Sequence, residues 1–108
     1  MARVRYDNAQ LRRYISTMPD AGQRVVERTA EVAVDRIKQR APVDTGALRD
    51  SVSHRSDGPL REMVEEASPY GIYQEFGTWK QAPQPHFIPG MGDAAQELPR
   101  IAAEEFRP

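Results

Sequence analysis

At 108 residues the chain is short for two independent cores. Its 15 Lys and Arg against 16 Asp and Glu leave a net charge of -1, which supplies no general pull toward nucleic acid or an anionic membrane. The absence of cysteine excludes disulfide frameworks, thiolate metal sites and cysteine nucleophiles. Leu, Ile, Val and Phe together number 20, close to the roughly 20% level below which a packed core is hard to fill. That sparseness predicts burial completed against other subunits.

The N-terminus meets charge at once in Arg3, Arg5 and Asp7, and no window approaches the roughly 18 apolar residues of a membrane span. A soluble chain made in the cytoplasm is expected. Asp7 suits the cap of a short helix over 8–16, where Leu11, Tyr14 and Ile15 fall on one face. Thr17-Met18-Pro19-Asp20 then reads as a second helix start. A long helix over 20–40 follows from the spacing of Val26, Ala30, Ala33, Val34, Ile37 and Ala41, and Pro42 ends it.

Alternation predicts a strand over 49–55, a turn at Ser56-Asp57-Gly58-Pro59 and a return strand over 60–67. Tyr70, Tyr73 and Phe76, at steps of three, predict a short helical turn closed by Gly77. Residues 78–90 hold Pro83, Pro85 and Pro89 around the single Trp79 and read as an extended arm. A final helix over 91–106 presents Ala94, Leu98, Ile101, Ala102 and Phe106 near one face, interrupted by Pro99. The fold class expected is α+β, with the long and C-terminal helices on one face of a small antiparallel sheet. The whole is one domain over 1–108, divided into an N-terminal segment 1–19 and a core 20–108.

Charge is uneven along the chain. Residues 1–40 carry nine Lys or Arg and five Asp or Glu, whereas residues 41–108 carry six and eleven. Such asymmetry suits head-to-tail contacts between copies, although charges on solvated helix faces are the plainer reading.

Three motifs bear on chemistry. Asp44-Thr45-Gly46 is similar to the signature of retroviral-type aspartic proteases, in which two such loops bring two carboxylates together. Those enzymes are almost all-β, and here the tripeptide follows a long helix. A turn from helix to sheet, with Gly46 at positive φ, is the stronger reading. Gly90-Met91-Gly92-Asp93-Ala94-Ala95 fits the dinucleotide fingerprint only formally, since it follows a proline-rich loop rather than a strand, and a flexible helix start is expected instead. His54 and His86, with no carboxylate at ligand spacing, read as surface residues. Arg3, Arg5, Arg12 and Arg13 leave open a small nucleic-acid-binding regulatory module, whose binding would weaken with salt.

Five of the eight aromatics, Tyr70, Tyr73, Phe76, Trp79 and Phe87, fall within eighteen residues. They serve either as one end of the core or as an intersubunit docking segment.

Three ordered segments, Ala41-Pro42-Val43-Asp44-Thr45-Gly46-Ala47-Leu48-Arg49-Asp50-Ser51, then Pro69-Tyr70-Gly71-Ile72-Tyr73-Gln74-Glu75-Phe76-Gly77-Thr78, then Pro85-His86-Phe87-Ile88-Pro89, resemble the gene-product-ten-like family of tailed-phage head-tail joining proteins. The resemblance runs from about residue 20 to the C-terminus. It departs from the family at Gln74, where an apolar residue is usual, and at Gly90-Met91-Gly92, which implies a later helix start or altered docking. It implies a non-enzymatic virion protein of the neck, made in the host cytoplasm, with no cofactor or metal and no membrane association. It further implies a ring, six-fold, between a connector or head-completion protein and a tail terminator or tube protein, with DNA passing through the lumen. By matched position, Pro42, Asp44, Thr45, Gly46 and Leu48 would set the turn. Tyr70, Tyr73, Glu75, Phe76, Gly77 and Thr78 would form the packing element, Pro85, Phe87 and Pro89 would orient the arm and last helix, and Trp79 on that arm is counted with the packing and interface residues.

Overall fold

The computed structural model describes residues 9–42 and 46–107, with side chains described for all of these except 10–18. Four helices and one hairpin succeed each other as α1 (Ala9–Arg40), α2 (Ala47–Asp50), β1 (Val52–Ser56), β2 (Glu62–Glu66), α3 (Gly71–Phe76) and α4 (Phe87–Glu105). This is the α+β arrangement expected, two long helices with a two-stranded antiparallel sheet.

α1 differs from the sequence expectation. In place of two helices meeting near residue 17, one helix of 32 residues runs through Pro19. Proline lacks the N–H that would bond one turn back, but its fixed φ is helical, so the chain loses one backbone bond and continues. The helix starts twelve residues, about 18 Å at 1.5 Å each, before Ala21, the first described side chain in the core. The molecule measures 70 × 27 × 20 Å, with a radius of gyration of 19.3 Å. A compact chain of this length would have about 13 Å.

From Ala21 onward α1 is the central element. Ala21, Val25, Ala30, Ala33 and Ile37 are buried along it, as is Ala41 just past its end, so Val25 occupies the core where the sequence pattern places Val26. α4 lies antiparallel to it, as the pairing of Arg24 with Glu105 at one end and Arg40 with Asp93 at the other shows. The alanines let the two helices approach closely, and Ile37 and Ile101 fill the centre with no exposed surface. On the α4 side, Ala94 and Ile101 are buried, whereas Leu98 is exposed.

After α1, the chain passes Pro42 and Gly46, whose φ is +75°, into the short helix α2, so β1 begins at Val52 rather than at Arg49. Leu48 is buried and Ser51 Oγ donates to the Leu48 carbonyl at 2.7 Å, closing the turn. Asp44 and Thr45 lie outside the described residues.

The hairpin pairs Val52 with Glu66, His54 with Val64 and Ser56 with Glu62. Side chains alternate across a strand, so Val52, His54, Val64, Glu62 and Glu66 share the face that includes the buried Val52. The opposite face carries Arg55 and Glu65, joined at 2.9 Å. Leu60 lies outside the return strand, at the hairpin tip with φ +56°, and Gln23 Oε1 on α1 accepts its N–H at 3.0 Å.

Candidate functional site

The residues after β2 form a corner at which α3, the proline-rich segment and the start of α4 meet. α3 ends as the spacing of Tyr70, Tyr73 and Phe76 predicts, at Gly77, which has φ +75° and whose N–H donates to the Tyr73 carbonyl at 2.8 Å. A Cβ at Gly77 would lie 2.8 Å from the Gln81 carbonyl and from Pro83 N, so both backbone angle and space demand glycine. Thr78 and Gln81 then close a tight bridge with Trp79 and Lys80 at its tip. Gln84 N–H donates to the Gln74 carbonyl at 2.6 Å, tying the segment back to α3.

α4 starts at Phe87, four residues before the expected Met91, and the reason is Glu75. The first N–H groups of a helix have no partner within it. Here Glu75 Oε1 accepts from His86 N–H at 2.9 Å and Phe87 N–H at 2.7 Å, and Glu75 Oε2 accepts from Ile88 N–H at 3.1 Å. Pro89 has no N–H to satisfy, and Gly90 N–H closes on the His86 carbonyl at 3.0 Å. A side chain from α3 therefore caps α4, and a negative charge sits at its positive end. Pro89 occupies a first-turn position where its missing donor costs nothing.

Glu75 is 7% exposed. Its burial works against ionisation, but the three backbone N–H groups and the nearby His86 outweigh that, and its carboxyl is held below the ordinary 4.5.

His86, expected at the surface, is completely buried. Its Nε2 meets Glu66 Oε2 at 2.5 Å, and its Nδ1 lies 3.3 Å from both the Gln84 carbonyl and Glu75 Oε1. His54 is likewise half-buried, with Nδ1 2.7 Å from Glu62 Oε1. Each histidine thus pairs with a β2 glutamate. The partners of His86 lie 20 and 11 residues back in sequence, at spacings that signal neither metal nor catalytic motif, so sequence reasoning missed them. Among the described residues no group of His, Asp and Glu is arranged to hold a metal ion.

Beside this corner is a cleft of about 350 Å³. Ile72, Phe76, Phe87 and Ile88 form apolar walls, and Glu66 and Glu75 contribute carboxylates. Tyr70, Ile72, Tyr73, Phe76, Trp79 and Ile88 are all exposed, so these aromatics do not make a core end in the single subunit. Phe87 is half-buried, and Pro85 is exposed in the extended stretch leading to α4.

Among the described residues, part of the uneven sequence charge is paired inside the fold. Arg24 and Arg28 on α1 pair with Glu105 and Glu104 on α4 at 3.2 and 2.7 Å, and Arg40 grips Asp93 through Nε and Nη2 at 2.7 and 2.9 Å. These three arginines of α1 therefore pair with α4 within the subunit. Gly90 and Gly92 fall inside α4, not at a flexible helix start, and a Cβ at Gly90 would stand 2.8 Å from Ile37 Cα and N.

A buried capping carboxylate, solvent-facing aromatics and an apolar cleft thus meet at one corner of a fold of helices around one hairpin. A family model described as "Bacteriophage HK97-gp10, putative tail-component" matches residues 8–77. The chain belongs to this family of phage tail components. The match begins before the point at which the sequence resemblance was placed, and ends at Gly77, ahead of Pro85 to Pro89. No curated protein and no solved structure matches the chain. The protease reading requires a nearly all-β fold, unlike the four helices and hairpin seen here. No helix among the described residues is long and apolar enough to cross a membrane.

Proposed function

We propose that this chain is a structural, non-enzymatic protein of the virion neck that folds as one domain and assembles into a six-fold ring between the portal-side connector and the tail tube. The observation that carries the proposal is the inversion of the apolar surface. Among the described residues, ten large apolar side chains are exposed, whereas five buried ones exceed alanine in size: Val25, Ile37, Leu48, Val52 and Ile101. A subunit so arranged gains more by association than by internal packing. On this reading Pro42, Asp44, Thr45, Gly46 and Leu48 set the helix-to-sheet turn. Glu75, Gly77, Thr78, Pro85, Phe87 and Pro89 fix the corner that presents Tyr70, Tyr73, Phe76 and Trp79 to neighbours. The connector or head-completion protein and the tail terminator or tube protein are the outer partners, and DNA passes through the lumen.

Native mass spectrometry and electron microscopy of the chain, alone and with connector and tail proteins, test this. Closed rings are expected in at least one condition, and monomers in all of them overturn the proposal.

A further inference from the structure

Trp79 is 90% exposed, more than any other large apolar residue among the described ones, and its backbone is held in a tight turn. The Thr78–Gln81 bridge closes through two backbone bonds of 2.9 and 3.2 Å. Thr78 Oγ1 accepts from Lys80 N–H at 3.2 Å, and Gln81 Nε2 donates to Gln74 Oε1 at 3.2 Å. Lys80 Nζ stands 4.7 Å from the centre of the indole ring. These bonds fix the backbone that carries the indole, so less ordering is left for the moment of binding. The cleft between α3 and α4 has the complementary character. Its walls are apolar, and its only charged lining residues are Glu66 and Glu75. Lys80 is the only Lys or Arg between residues 62 and 99. The cleft is large enough to admit an aromatic side chain, but the chain's own Trp79 does not line it.

We infer that the Trp79–Lys80 tip of one subunit inserts into the α3/α4 cleft of a second copy. The indole packs between Ile72, Phe76 and Ile88, and the ammonium lies toward the acidic side of the cleft, where Glu66 and Glu75 keep their bonds to His86 and to the start of α4. Knob and socket are different surfaces of one chain, so every subunit both gives and receives, and the contact closes into a ring where the rotation between neighbours closes. The inference rests on the ring reading and supplies its contact.

The test compares the wild-type chain with Trp79→Ala and Ile72→Asp, both at exposed positions, with folding checked by circular dichroism. Sedimentation velocity across a concentration series should show assembly of the wild type and folded monomers for each variant. The assembly midpoint should move about 30-fold or more, the scale of a tryptophan hot spot. An equal mixture of the two variants leaves one intact knob and one intact socket, and should give 1:1 heterodimers and nothing larger. Lys80→Glu should weaken wild-type assembly, and less so at high salt. Assembly of Trp79→Ala at the wild-type midpoint overturns the inference and leaves the ring standing, as does a mixture that fails to pair. A tip that binds only a connector or tail protein overturns it likewise. A wild-type chain that is monomeric alone and with its virion partners overturns both.

Discussion

Glu75 is the residue on which the corner turns. Its two oxygens serve three consecutive N–H donors eleven to thirteen residues downstream, so no exposed side chain can substitute for it. Glu75→Gln keeps the shape, removes the charge and turns an amide N–H₂ toward backbone donors. A loss of about 2–3 kcal/mol in urea unfolding is expected, the scale of broken charge-assisted bonds in a buried site. The same residue sets an acid response. Its carboxyl is lowered in the fold, so the native state binds fewer protons than the unfolded chain, and the stabilisation is complete above the ordinary value of 4.5. It is lost as pH falls below that value and through the lower folded one. In acid titrations followed by circular dichroism, Glu75→Gln should therefore lose part of the stability difference between pH 7 and pH 3. The sequence marked Glu75 as part of an ordered motif, but not its task, because its acceptors and donors meet only once the chain has folded back. His86 was illegible for the same reason, since a lone histidine shows nothing of carboxylates 20 and 11 positions away.

At the scale of elements, the helices followed from 3.6-residue periodicity, and the hairpin from its turn residues. The boundaries did not. Pro19 reads locally as a start, yet helical geometry on both sides carries α1 through it. Met91 reads as the start of α4, yet a cap supplied from α3 moves the start to Phe87. Where α4 crosses α1, Gly90 stands against the Ile37 backbone. Gly90→Ala should raise helix propensity but force the helices apart, a net loss of about 1–3 kcal/mol by thermal or chemical unfolding. The arginine ladder has a smaller, screened effect. The hydrogen bond from Arg40 first, and then its charge and that of Arg36, hold Asp93 below 3.8 against the opposing effect of burial. Hydrogen bonds from Arg28 and Arg100 do the same for Glu104. These carboxylates also contribute stability above their ordinary values and lose it on acidification. Arg40→Gln should flatten the salt dependence of stability with little change in the unfolding midpoint at high salt.

The whole molecule is long, thin and apolar on the outside at one corner. If it completes its burial in an assembly, its unfolding temperature should rise with protein concentration, and Trp79→Ala should abolish that dependence without altering the dilute-limit value. The fixed start of α4 carries a mechanical consequence. The residue that pins this helix belongs to the wall of the cleft, so α3 and the near end of α4 move together. α4 is a rod of 19 residues, about 28 Å long, whose far end is latched to Arg24 and Arg28. A neighbour pressing on Ile72 or Phe76 would tilt that rod and strain the latch, so a push at one rim of the subunit is delivered, as by a lever, to the opposite rim.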